Sequence, residues 1–370
     1  MGMSLGGPGE AVPLPEGPVP SPHEALRAAL LPALADPPCL VAFSGGRDSA
    51  VLLAVAADVA RREGLAPPVP ATIRFPAHPE TQEDEWQELV VVHLGLADRL
   101  VVDLEDELDL LGPLATDFLR RHGPREPATA VFPLPLLQAA IGRGCLVFGH
   151  GGDDLLSPWR GAHLADVRAQ RTRPSFQTVR QSALAAAPRP LARAVLARRA
   201  PILPWLTSRG QRAARRAWAD ETAEPIRFDK HVRRAAARPA LRRSERTLRI
   251  VVGEAGASVY VPFLDPLVVE ALARAGGATG FGGRSSATAV LAGGTLPPAV
   301  LERRGKASFN TAYWGAATRR FAERWSGGGI DPELVDADEL RAAWLADVPD
   351  QRSALLLQLA WCHEELAPRD

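Results

Sequence analysis

The chain has 370 residues, 46% of them hydrophobic and 23% charged, which excludes a disordered chain and allows one large folded unit or two. Its 43 basic and 43 acidic residues cancel, so no overall charge attracts nucleic acid or a membrane, and neither partner is expected. Three cysteines exclude a disulfide framework, and no signal peptide is recognisable, so the expected location is the cytoplasm.

The chain begins with a Gly/Pro-rich stretch, 1–20, which predicts a flexible tail before a folded region spanning 21–370. The first predicted strand is Leu40–Phe43, a short apolar segment bounded by prolines and glycine. From Ser49 onward, apolar residues recur at helical spacing until the basic turn before Gly64. A strand therefore leads through a short turn into a helix.

That turn reads Ser-Gly-Gly-Arg-Asp-Ser and spans Ser44–Ser49. Unpaired backbone N–H groups and the dipole at a helix start favour an anion. Gly45 and Gly46 would let a phosphate approach the backbone, Ser44 and Ser49 add hydroxyl groups, and Asp48 can hold a cation. The alternative is an ordinary strand-to-helix turn, in which these residue types are common. The complete pattern in this context favours a nucleotide site.

Further along the chain, strands and helices alternate. The predicted elements are a strand at Pro70–Phe75, a helix at Glu83–Leu96, a strand at Asp98–Leu104, helices at Leu108–Arg121 and Leu134–Gly142, and a fourth strand opening Gly144–Leu156. Such alternation predicts an α/β fold, a doubly wound parallel sheet covered on both faces, with ligands beyond the carboxyl ends of the strands. From about Pro158 the pattern is mostly helical.

The fourth strand ends in a second glycine-rich turn, "GHGGDDLL". By itself it is typical of a flexible turn with solvated acids. Together with Asp48, however, Asp153 could form half of a magnesium site, because Mg²⁺ prefers one or two carboxylates plus nucleotide phosphates. Gly149 and Gly151 would let a nucleotide approach the backbone of this turn closely.

At this point the sequence resembles a known family. "FSGGRDS" resembles the pyrophosphate-binding loop of adenylate-forming ATP pyrophosphatases. "GHGGDDLL", "VPFLDPLVVEAL" and "RRGKASF" are together similar to the synthetase domain of asparagine synthetases, and most of all to β-lactam synthetases and lasso-peptide cyclases. The resemblance implies an adenine nucleotide α-hydrolase-like core at about 36–157 and a helical, basic part at about 158–370 that completes the active site.

The resemblance also implies a reaction, which is ATP-dependent amide synthesis through an acyl-adenylate, with release of AMP and pyrophosphate. ATP and Mg²⁺ are the implied cofactors, with Asp48 and Asp153 as metal ligands. Lys306 is the implied catalytic cation, and it is one of only two lysines, the other being Lys230. A lysine among arginines indicates a need for a compact, movable charge. The implied substrate is a peptide or small-molecule carboxylate, and a peptide-carrier, protease or glutaminase could be a partner protein.

Three features depart from the asparagine synthetases. No glutaminase domain is recognisable before the loop, Ser258 stands where the family has a glutamate thought to act as base, and His150 replaces the glutamate of the "GEG" turn. Glu254, four residues earlier, could substitute as the base only if the local loop differs from that of the family. Two alternatives therefore stay open: a free-standing synthetase using ammonia or a separate glutaminase, and a catalytically silent nucleotide-binding protein.

The neutral total conceals a basic region. From Arg160 to Arg249 there are 22 Arg and Lys against six Asp and Glu. Solvated helices would account for this surplus. A basic surface that meets phosphates, an acidic peptide or a partner protein is the functional alternative.

Overall fold

The computed structural model describes residues 18–140, 144–168, 176, 179, 182–183, 186–223, 225–303, 305 and 307–366. Its strands are β1 (Cys39–Ala42), β2 (Val69–Arg74), β3 (Leu100–Asp103), β4 (Cys145–Val147) and β5 (Ser258–Tyr260). They form one sheet in the order β3-β2-β1-β4-β5, and every pair is parallel. The predicted doubly wound α/β fold is confirmed. Strand order reverses between β1 and β4, which is where open sheets of this kind bind ligands.

Helices cover the sheet and make up most of the second half. Those of the first half are α1 (Pro22–Leu34), α2 (Arg47–Glu63), α3 (Asp84–Leu94), α4 (Pro113–His122), α5 (Leu134–Ala139), α6 (Gly152–Leu156) and α7 (Ala162–Arg168). Those of the second half are α8 (Arg189–Arg199), α9 (Ser208–Thr222), α10 (Phe228–Ala236), α11 (Pro239–Glu254), α12 (Pro266–Gly276), α13 (Arg284–Ala292), α14 (Pro298–Glu302), α15 (Ala316–Arg324), α16 (Ala337–Leu345) and α17 (Ala354–Leu366). Short 3₁₀ turns occupy Pro79–Thr81, Pro262–Leu264, Thr311–Tyr313 and Gln351–Ser353.

The sheet separates two hydrophobic clusters. Side chains alternate along a strand, so Cys39, Val41 and Phe43 face the cluster that contains α1 and α2, whereas Leu40 and Ala42 face the other. Residues Ser49–Ala60 of α2 are all buried, and α2 ends at Gly64, whose φ of 66° is left-handed. Strand β1 is packed on both faces, and α2 is buried along most of its length. The turn between them is therefore held in place at both of its ends.

Most predicted elements of the first half match the observed ones to within two residues, but two helices differ more and one strand was missed. The helix expected from Leu108 begins only at Pro113, because the buried carboxylate of Asp109 accepts the backbone N–H of Leu111 and holds a turn there. The helix predicted at Leu134–Gly142 is seen to Ala139, and residues 141–143 lie outside the described part. Of the predicted tail, 1–17 also lie outside it. Strand β5 was not predicted, because its residues Ser-Val-Tyr form no apolar run like the Cys-Leu-Val of β4.

Some arginines of the basic region Arg160–Arg249 form ion pairs with acids from other parts of the chain. Among the described residues, such pairs include Arg209–Glu333, Arg233–Glu270, Arg238–Asp154 and Arg243–Glu126. Part of the excess charge in this stretch of sequence is therefore offset by acids that the fold brings close. A docking role for this region stays a prediction.

Within the described ranges, no helix combines the length and the apolar character needed to cross a membrane.

Candidate active site

The two glycine-rich turns meet at the point where strand order reverses. A Cβ on Gly149 would lie 3.8 Å from the backbone nitrogen of Ser49. A Cβ on Gly152 would lie only 2.5 Å from the Asp48 carboxylate oxygen Oδ2. The second turn can approach Asp48 this closely because residue 152 has no side chain. Gly152 was not singled out from the sequence, where it is one glycine among several.

The first turn has a geometry that can receive an anion. Gly45 takes a left-handed φ of 87°, and helix α2 starts at Arg47 with Gly46 as its N-cap, which provides no side-chain hydrogen bond. Ser49 Oγ donates to the carbonyl of Gly46 at 3.0 Å, and the N–H of Gly46 donates to Ser44 Oγ at 3.3 Å. The start of α2 is thus free of a capping side chain, and its dipole favours a negative charge there.

An arginine joins the two turns. Arg284, the first residue of α13, places its Nη2 2.6 Å from Asp48 Oδ2 and its Nη1 2.6 Å from Asp153 Oδ1. Burial opposes the charge of Arg284, but Asp48 and Asp153 outweigh it and raise the pKa of the guanidinium. The pKa of the neighbouring Arg47 is instead lowered, first by burial and then by the charge of Arg284. Two arginines are therefore crowded beside the turn.

The "RRGKASF" segment is tied to the same turn through a buried ion pair. Arg303 pairs with Glu83, and their side chains are 7% and 5% exposed. Arg303 also donates to the carbonyl of Gly45 at 2.8 Å and lies 4.9 Å above the ring of Trp86. Glu83 in turn accepts the N–H of Ala307 at 2.8 Å. Arg304 and Lys306 themselves lie outside the described residues.

These groups surround a cavity of about 450 Å³. Residues of the first turn supply polar lining together with Asp153, Arg284 and Arg303. Apolar lining comes from Ala130, Phe132, Phe148, Leu248 and Phe309, among others. A volume of this order is typical of small-ligand sites, which combine apolar walls with a few placed polar groups.

Comparison with known proteins agrees with this arrangement. The family model for asparagine synthase matches residues 23–364. The chain belongs to the asparagine synthase family. Members of this family synthesise amide bonds at the expense of ATP, so the chain is assigned as an ATP-dependent carbon–nitrogen ligase. No curated protein matches the chain.

Most of the residues singled out from the sequence meet at the cavity of this asparagine synthase family member. Those that line it are Ser44, Gly46, Asp48, Ser49, Gly149, Gly151 and Asp153. Gly45 lies behind them, where a Cβ would stand 3.0 Å from Gln87 Cγ. Gly151 has a φ of 92°, and a Cβ there would lie 2.6 Å from Leu264 Cδ2. The tight turn at this position therefore requires glycine.

Three cavity arginines were missed: Arg47, Arg284 and Arg303. Arg47 and Arg303 stand inside the quoted motifs, so the sequence did offer a signal for these two. Arg284 stands in no motif, and nothing in an arginine-rich sequence marks it.

Neither residue considered for the missing family base reaches the cavity. Ser258 pairs with Cys145 at the amino end of β5, whereas the cavity lies beyond the carboxyl ends of the strands. Glu254 bonds Arg121 and lies 2.6 Å from His122 Nε2 on the outer surface.

His150 does line the cavity, with its ring stacked on Phe148 at 6.2 Å between centroids. Burial lowers the pKa of His150, which favours a neutral imidazole.

Proposed function

We propose that the chain joins an amine to the carboxylate of a peptide or natural product, through an acyl-adenylate and with release of AMP and pyrophosphate. One observation carries this proposal. Two turns from neighbouring strands, the start of α2 and three guanidinium groups all line the same cavity. Such a convergence suits the triphosphate of ATP, because arginines bind phosphate by paired hydrogen bonds and a helix start favours an anion.

The residues present fit a magnesium ion. Asp48 and Asp153 approach one cationic group from two different turns, as two ligands of one metal ion would. Among the residues that the structure describes, no cluster of three His, Cys, Asp or Glu could hold a metal alone. Two carboxylates completed by phosphate oxygens and water are the usual ligand set of Mg²⁺. When bound, the ion would neutralise charge on the departing pyrophosphate.

The position of the "RRGKASF" segment supports the catalytic role proposed for Lys306. Gly305 lines the cavity, and Ala307 is fixed by its hydrogen bond to Glu83. One neighbour of the lysine thus lines the cavity, and the other is bonded to Glu83, which also lines it. In our proposal Lys306 stabilises negative charge at the phosphate and at the acyl centre. One such pre-positioned donor is worth on the order of 10²–10³ in rate.

The apolar lining of the cavity suits a substrate that carries more apolar surface than aspartate. Phe132, Phe148 and Phe309 offer ring surface for the adenine of ATP and for apolar groups of the acid substrate. Neither Ser258 nor Glu254 is placed to act as the base of an asparagine synthetase. We therefore favour an amine from the same peptide or product, with a carrier or protease as the proposed partner.

The first experiment measures nucleotide binding by calorimetry with Mg²⁺ and α,β-methylene ATP, which cannot be cleaved at the reacting bond. Wild type should bind the analogue, and Asp48→Asn should weaken binding by about tenfold or more, since it removes a hard anionic ligand. Asp265→Asn is the matched control, because Asp265 caps α12 and does not line the cavity. Equal affinity in all three proteins would remove Asp48 from the site.

The second experiment identifies the products after incubation with ATP and peptides that carry a side-chain carboxylate and a free amino terminus. AMP, pyrophosphate and a peptide lighter by one water are expected. ADP as the accumulating nucleotide would contradict the proposal. Efficient formation of asparagine from aspartate, ATP and ammonia would instead favour the free-standing synthetase. Nucleotide binding without turnover of any carboxylate would favour a silent nucleotide-binding protein.

A further inference from the structure

Arg284 bridges the same two carboxylates that are proposed to hold the metal. Asp48 and Asp153 stand on turns that follow different strands, 105 residues apart in the chain, yet both meet one guanidinium at 2.6 Å. The side chains of Arg284 and Asp48 are 21% and 15% exposed, whereas that of Asp153 is 52% exposed. Water therefore screens the contact with Asp48 less than the contact with Asp153.

A guanidinium and a magnesium ion compete for this position. Magnesium requires carboxylate oxygens at about 2.0–2.1 Å in near-octahedral geometry. Arg284 already directs two N–H groups at those oxygens, and it adds a positive charge that repels a second cation. A metal can therefore bind Asp48 and Asp153 readily only if the guanidinium leaves them for another anionic partner.

The phosphate groups of the incoming nucleotide provide such a partner for Arg284. A phosphate group presents oxygens that match the two parallel donors of a guanidinium. The start of α2 and the neighbouring Arg47 would attract phosphates to the same part of the cavity. The exchange balances charge, since the metal takes the carboxylates while the phosphate takes the arginine.

We propose that Arg284 is an exchangeable cation that occupies Asp48 and Asp153 until the nucleotide arrives, so that the metal binds with the nucleotide and not before it. This inference rests on the proposed function. Arg284 is a positioning residue in this scheme, and its part is to hold two carboxylates in place and then bind phosphate. The predicted consequence is strong coupling between metal binding and nucleotide binding.

The test uses Mn²⁺ as the probe and follows its free fraction by electron paramagnetic resonance, with and without α,β-methylene ATP. Wild type should bind Mn²⁺ weakly alone and on the order of tenfold or more tightly with the nucleotide. Arg284→Gln removes the competing charge, so Mn²⁺ should bind on the order of tenfold more tightly without nucleotide. The same variant should bind the nucleotide less tightly, because a phosphate partner is lost. These opposite changes distinguish exchange from simple damage to the site.

Arg284→Lys keeps the charge but cannot span both carboxylates, so its Mn²⁺ affinity should lie between the other two. If Arg284→Gln does not fold, the comparison of Arg284→Lys with wild type still tests the inference. Arg227→Gln is the control, because Arg227 pairs with Asp229 outside the cavity and should leave both affinities unchanged.

Nucleotide-free Mn²⁺ affinity that is equal in wild type, Arg284→Gln and Arg284→Lys would overturn the inference while leaving nucleotide binding, and the proposed function, intact. Failure of wild type to bind the nucleotide at all would count against the proposed function itself.

Discussion

Glu83→Gln tests whether the buried pair with Arg303 holds the wall of the cavity. The substitution keeps the shape of the side chain but removes its charge, which leaves Arg303 buried at 7% exposure. Removing one partner of a buried pair costs roughly 3–5 kcal/mol. Arg303 retains the Gly45 carbonyl and the ring of Trp86, so we expect the lower end, about 3 kcal/mol.

The assay is urea unfolding followed by tryptophan fluorescence, comparing Glu83→Gln, Arg303→Gln and the double variant. The double variant leaves no uncompensated charge, so it should be at least about 1 kcal/mol more stable than the sum of the single changes predicts. Glu365→Gln, from an exposed pair with Arg324, is the control and should cost less than about 1 kcal/mol. A loss below about 1 kcal/mol for Glu83→Gln would refute the reasoning.

Three further predictions follow from the site and the core. Gly152→Ala places a Cβ 2.5 Å from a carboxylate oxygen and should weaken binding of Mg²⁺ and nucleotide in calorimetry, whereas Gly253→Ala meets nothing within 4 Å and should not. Lys306→Arg should lower kcat far more than it changes the KM for ATP, and comparable turnover of Lys230→Arg and Lys306→Arg would contradict this. Burial lowers the pKa of His231 to about 4, so the unfolded chain binds more protons below pH 6.5. Stability should therefore fall as pH decreases from about 6.5 to about 4, by at most about 1.4 kcal/mol per pH unit, and His231→Gln should flatten that dependence in urea titrations.

The sequence by itself determined the features that depend on neighbouring residues. The apolar run of β1, the glycines and serines of the following turn, and the helical spacing of α2 lie within 25 consecutive positions, Cys39–Glu63. Their geometry is local, so the pattern predicts both the elements and the anion-binding turn. The same holds for the strand and turn that carry Asp153. The rule that ligands bind at the carboxyl ends of parallel strands then predicted that these turns meet.

Tertiary structure alone decided which side chains complete the site. Arg284 reaches Asp48 across 236 positions, and Arg303 reaches Glu83 across 220. Such contacts depend on the path of the chain through the helical half. Arg303 stands in a quoted motif that does not indicate its partner, and Arg284 is one arginine among many that no motif marks. The fold likewise placed Ser258 at the amino end of β5, away from the cavity, which an alignment of motifs could not show. Spacing along the chain specifies local conformation, whereas long-range pairing of charges is fixed only when the core packs.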